Sequence, residues 1–126
     1  MDKSKIQKIA LATSGDSLDS PLDRRFGRAK SFLIYNLEND SFTIAANSQT
    51  LNIVQGAGIQ SAQNVVESGA QCVIGGHCGP KAFRVLCAAG ISVFGCEEGT
   101  VQEAINLWKD GKLVPMETAD VEGHWV

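Results

Sequence analysis

The chain has 126 residues, 44% of them apolar, which is the usual size of one domain and enough to fill one hydrophobic core, so a single domain over 1–126 is expected. Eleven Lys and Arg against fourteen Asp and Glu leave a formal charge of -3, and no overall basic field draws the chain to nucleic acid or to an acidic lipid surface. The apolar stretch Ile6 to Ala12 is broken by Gln7 and Lys8 and is too short and polar for a signal peptide or a membrane span, so a cytoplasmic location is expected. The cysteines, at 72, 78, 87 and 96, form neither CxxC pairs nor a disulfide framework and are read as reduced thiols.

Ile6 to Thr13 reads as a strand ending in the turn residues Ser14-Gly15-Asp16. Ser17 to Lys30, rich in Ser, Asp, Pro and Gly and carrying Arg24, Arg25 and Arg28, reads as a long surface loop, the first place to look for a site. Ser31 to Leu37 and Ser41 to Ala46 are β-prone runs separated by three polar residues, which forces an antiparallel hairpin. After polar residues 47–55, Gly56-Ala57-Gly58 opens a helix with Ile59, Ala62, Val65 and Val66 at helical spacing, and Gly69 closes it. Ala70 to Ile74 is a buried strand. Gly75-Gly76-His77-Cys78-Gly79-Pro80 follows and leads into a helix that Gly90 ends. Ile91 to Phe94 is a last short strand, and Thr100 with Glu103 forms a capping box for a helix stopped by Gly111. The tail from Lys112 shows no period and reads as loosely held. There is no internal repeat or low-complexity segment.

The order β-β-β-α-β-α-β-α combines hairpins, which pair neighbours, with crossovers, which must be parallel. It predicts an α/β fold: a three-layer α/β/α arrangement around a mixed five-stranded sheet of order 3-2-1-4-5. The carboxyl ends of strands one, four and five then share one edge, bringing together the loops at Ser14 to Lys30, Gly75 to Pro80 and Gly95 to Thr100. Helix N-termini there offer unpaired N–H groups and positive dipole ends, with Arg25 and Arg28 nearby, a setting for an anion. A nucleotide is disfavoured, since Gly56-Ala57-Gly58 lacks the third glycine of a dinucleotide fingerprint and no GKS or GKT element is present. His77-Cys78, a thiol and an imidazole in a loop before a helix, suit a soft metal, and Cys78 is the preferred thiol. Cys72 and Cys87 read as core, Cys96 as intermediate, and His124 lacks supporting context. Enzymatic readings are weaker. A two-metal nuclease needs converging carboxylates, and the first strand has none, while a Cys78/His77 nucleophile pair has no orienting carboxylate nearby in sequence.

Leu18-Asp19-Ser20, Arg25-Phe26-Gly27-Arg28-Ala29, Gly56-Ala57-Gly58, Gly75-Gly76-His77-Cys78-Gly79-Pro80 and Thr100-Val101-Gln102-Glu103-Ala104 occur in consistent order over about residues 6–113. In these elements the chain resembles the NifX/NifB-type dinitrogenase iron–molybdenum cofactor biosynthesis family, and its His-Cys loop is similar to the small stand-alone members of the orange-protein type. The resemblance implies a ribonuclease H-like sheet that holds a metal–sulfur cluster, of iron–sulfur, iron–molybdenum or molybdenum–copper type, without catalysis. Ser14, Arg25, Arg28, Gly56, Gly58, Gly76 and Gly79 are the expected cluster-binding residues, with Cys78 and His77 as metal ligands. Many members place a histidine just before the GAG turn, where this chain has Gln55. Either His77-Cys78 substitutes for it, or backbone amides and arginines hold the cluster. A cluster-assembly ATPase or an acceptor protein is the implied protein partner. The alternatives are a regulatory module that docks such an ATPase without holding metal, and a thiol-dependent hydrolase.

Overall fold

The computed structural model describes residues 7–23, 26, 29–46, 57–76, 78–96 and 99–116. The expected elements are present in the expected order: β1 (Lys8–Thr13), β2 (Ser31–Asn36), β3 (Ser41–Ala46), α1 (Ala57–Ser68), β4 (Cys72–Gly75), α2 (Pro80–Ala88), β5 (Ser92–Gly95) and α3 (Val101–Lys109). The sheet order is β3-β2-β1-β4-β5. β1 runs antiparallel to β2, with Leu11 opposite Leu33, and parallel to β4, with Leu11 opposite Ile74. A strand flanked on both sides and covered on both faces has no polar side, which is why Ile9, Ala10, Leu11 and Ala12 are all fully buried.

Alternation along the strands divides the core in two. Ala10, Ala12, Phe32, Ile34, Val73 and Val93 pack with Ala62 and Val65 of α1 and with Ala82 and Leu86 of α2. On the other face Ile9, Leu11, Leu33, Tyr35, Cys72, Ile74 and Phe94 pack with Val101, Ala104, Ile105 and Trp108 of α3. The helices end as their sequences dictate. Gly90 (φ 78) and Gly111 (φ 72) take the left-handed conformation, and in each case the next amide reaches back across the last turn, Ile91 to Leu86 C=O at 2.9 Å and Lys112 to Leu107 C=O at 2.9 Å.

Three expectations change. The loop after β1 is not simply a surface loop: Leu22, Phe26 and Ala29 are buried, Leu22 on the α3 face and the other two on the α1/α2 face. The start of the tail is held, because Pro115 bridges Phe94 and the Met116 amide donates to Val93 C=O at 2.7 Å along the outer side of β5. Cys87 is exposed rather than in the core. The buried stripe of α2 runs through Ala82 and Leu86, four residues apart, and Cys87 lies about 100° round the helix from it.

Candidate functional site

β1, β4 and β5 are parallel, so Thr13, Gly75 and Gly95 finish at one edge of the sheet. α2 and α3 leave from that edge, and α1, which must return the chain to the start of β4, also begins there. The three helix N-termini therefore share an edge, α1 and α2 over one face and α3 over the other.

The loop after β1 consumes one of these ends. Thr13 is fully buried; its hydroxyl donates to Pro21 C=O (2.9 Å) and accepts from the Gly15 amide (3.0 Å). Asp23 N–H donates to Ala12 C=O at 2.9 Å, folding the loop back along β1. The same loop accepts the first two amides of α3, from Val101 at Ser20 C=O and from Gln102 at Leu18 C=O, both at 2.9 Å. Thr100 Oγ1 takes the third, from Glu103 at 3.2 Å, and the Glu103 carboxylate returns a bond to the Thr100 amide. The groups that would attract an anion to α3 are thus already satisfied, so the expected convergence of helix ends narrows to α1 and α2.

α2 starts differently. Its N-cap is Gly79, which supplies no side-chain cap, and Pro80 occupies the first turn. Gly79 has an ordinary φ of −65°, and a Cβ added there would meet nothing within 4 Å. Neither strain nor packing asks for glycine at this exposed position; what its bare backbone offers is close approach to the α2 amides. Gly76, one residue beyond β4, is buried, Ser14, one residue beyond β1, is exposed, and Gly58 lies in the first turn of α1. These predicted residues do gather at one edge. Arg25, Arg28, Gly56 and His77 lie outside the described residues. Phe26 and Ala29, beside the two arginines in sequence, are buried in the α1/α2 face.

Cys78 is only 1% exposed and belongs to the same apolar cluster as Ala12, Phe26 and Ala29. Its sulfur faces the core in this conformation, and direct ligation would require the loop to turn it outward. Cys72 is a core thiol: burial pushes it up to about 12, with the nearby Trp108 side chain acting in the opposite direction, so it stays protonated. Among the described residues no group of three or more His, Cys, Asp or Glu is arranged to hold a metal ion. Sequence reasoning missed Thr13, Gly15 and Ser20 as the shapers of the edge. A Cβ on Gly15 would overlap the Ser20 side chain, with Ser20 Cβ at 2.5 Å, so the turn closes only around glycine. The apolar pair Phe26 and Ala29, three apart in a polar stretch, was the available signal for the anchored segment.

A family model described as dinitrogenase iron-molybdenum cofactor matches residues 6–111. The chain belongs to that family. Among proteins similar to this dinitrogenase cofactor family member is the apo form of the orange protein from Desulfovibrio gigas, 35% identical, with a TM-score of 0.86 and coverage of 92% of this chain and 98% of that one. The NMR structure of a NifB-type protein from Thermotoga is 34% identical with a TM-score of 0.78, covering 94% and 100%. An uncharacterized protein of Methanocaldococcus jannaschii is 34% identical over 118 residues, 91% of this chain and 96% of that protein. The family and these neighbours point broadly to cluster binding or cofactor biosynthesis, on an α/β fold shared with them.

Proposed function

We propose that this protein is a non-catalytic carrier of an anionic metal–sulfide cluster, held at the carboxyl edge of the sheet on the α1/α2 face. The single observation that carries the reading is the asymmetry of the helix ends. α3 is closed by loop carbonyls and its capping box, whereas α2 begins from a Gly79-Pro80 turn with no side-chain cap, on the face that buries Phe26 and Ala29. Family membership and a similar protein that exists as an apo form, and so has a guest to lose, support it. Arg25 and Arg28 supply charge, Ser14 a hydroxyl, and Gly56, Gly58, Gly76 and Gly79 leave room for backbone N–H groups to approach the sulfides. With Cys78 buried, charge and N–H groups carry most of the affinity, and Cys78 and His77 join as ligands only when the loop opens. The cluster is passed to or from an assembly ATPase or an acceptor protein.

The test is anaerobic reconstitution with tetrathiomolybdate, alone and with copper(I), read by visible absorbance and metal content after desalting. Wild type should retain colour. Replacing Arg25 and Arg28 together by Ala should weaken retention and remove most of its sensitivity to salt, since screening acts on charged contacts. Cys78→Ser should be mild. A colourless, metal-free wild-type protein would favour the alternative, a regulatory module that docks an ATPase without holding metal.

A further inference from the structure

We propose that β3 is a docking edge for a second copy of this chain, the two β3 strands pairing antiparallel so that two five-stranded sheets become one. The sheet has two edges, β3 and β5. The fold closes the second itself: Pro115 bridges Phe94, the Met116 amide donates to Val93 C=O, and a proline has no N–H to offer a further strand. β3 has no such guard. Ser41-Phe42-Thr43-Ile44-Ala45-Ala46 carries no charge, proline or glycine, and all six residues pair in continuous register with Asn36 to Ser31 of β2, without a bulge. Among the described residues nothing pairs with its outer side, so a row of backbone N–H and C=O groups faces away from the sheet. Only another strand matches such a row along its length. Ile44 adds an apolar reason: it is 38% exposed, one of three large apolar side chains so exposed among the described residues, and it lies on the α3 face beside half-buried Phe42.

The occupant follows from the strand's complementarity to itself. A closed dimer of this kind has its two-fold axis perpendicular to the sheet, and residues opposite each other in an antiparallel pair point to the same face. Thr43 then stands opposite Thr43 of the second copy, and Phe42 meets Ile44 twice. Aromatic–β-branched and threonine–threonine pairs are among the favourable cross-strand matches, and this register covers both exposed isoleucines. Charge raises no obstacle. Asp40, in the turn before β3, falls opposite Ala46 of the second copy, so the two Asp40 carboxylates sit about 20 Å apart, beyond the screening length of about 8 Å at physiological salt. The axis also turns the two carboxyl edges in opposite directions, which leaves both candidate sites uncovered. A single strand of six residues is a small interface, so the dimer forms and dissociates with concentration.

The experiment is sedimentation velocity of the full-length chain over a concentration series, with amide hydrogen exchange read on the same samples. Wild type should pass from the 13.4 kDa monomer toward a species of twice that mass, and the β3 amides should gain protection as it does. Thr43 is exposed, so its variants should match the circular dichroism of wild type. Thr43→Lys and Thr43→Glu, each placing like charges face to face, should remain monomeric, and an equal mixture of the two should recover the dimer. That recovery separates pairing at β3 from any fault in folding. Monomeric wild type throughout the series would overturn the proposal and leave the edge to a strand of another protein. A dimer that Thr43→Lys leaves unchanged, or in which the β3 amides gain no protection, would overturn it as well, because the contact would then lie elsewhere.

Discussion

Cys87 presents its sulfur to solvent, Cys96 is half-buried, and Cys72 and Cys78 are enclosed. Reactivity should follow that order, because the thiolate reacts and must be reachable. Alkylation of the native protein with iodoacetamide near pH 8, followed by mass spectrometry, should modify Cys87 first and Cys72 and Cys78 only when the chain unfolds. Cys87→Ala should leave stability within about 0.5 kcal/mol, whereas Cys72→Ala should cost about 1–2 kcal/mol, as a small core truncation does. The placement of Cys72 was legible because it sits in a continuous apolar run between Ala70 and Ile74. Cys87 was not: a single helical turn holding Phe83, Leu86 and Cys87 leaves the width of the buried stripe ambiguous, and only packing against α1 and the sheet decides which of them turns inward. Cys78 shows the same limit at the site itself, since residue type suggests a ligand while its surroundings place the sulfur among Ala12, Phe26 and Ala29.

The helices were legible down to their ends because their punctuation is local. Thr100 and Glu103 lie three residues apart and form the capping box at α3, and Gly90 and Gly111 sit one residue past each C-cap with positive φ. Thr100→Ala should therefore lower stability by about 1 kcal/mol, and Gly90→Ala, forced to hold φ 78° with a Cβ, by a similar amount, both measurable by urea unfolding. The loop from Ser14 to Asp23 was not legible for the opposite reason. Its ties to β1 and α3 run mostly between backbone groups, such as Val101 to Ser20 C=O and Leu22 to Gly99 C=O, and a backbone bond leaves no trace in residue type. The hydroxyls of Thr13 and Ser20 were the visible part of that network, yet serine and threonine beside a turn are too common to single out. The first amides of α3 are bonded as a result, a feature that periodicity and capping residues alone could not show in full.

Across the whole molecule, stability should fall on the alkaline side, and the causes sit in the α3 face. Tyr35 of β2 is buried there, its hydroxyl donating to Asp40 in the hairpin turn at 2.6 Å. Lys109 at the end of α3 lies 3.6 Å from the same carboxylate and 5.4 Å from the Tyr35 ring centre, so the hairpin turn and the last helix are pinned together. Burial first, then the bond to Asp40 and its charge, push Tyr35 from 10.0 up to about 12, and burial pushes Cys72 from 9.0 up to about 12. Both folded values are raised, so each contribution is complete below the unfolded value and is lost as pH rises through the folded one. Above pH 9.0 the unfolded chain releases the Cys72 proton while the folded chain keeps it, and stability should drop with a slope of up to about 1.4 kcal/mol per pH unit from that group. Tyr35 steepens the fall from pH 10.0, and both losses level off above about pH 12. On the acid side the Tyr35 hydroxyl and Lys109 hold Asp40 below its ordinary 3.8, so its share disappears only below that value, and it is small because the carboxylate is exposed. Urea midpoints measured from about pH 8 to about pH 11 should show Cys72→Ala starting lower but declining less from pH 9.0 upward, and Tyr35→Phe departing from wild type only above pH 10.0. Parallel declines in wild type and both variants would show that neither group keeps its proton in the folded core.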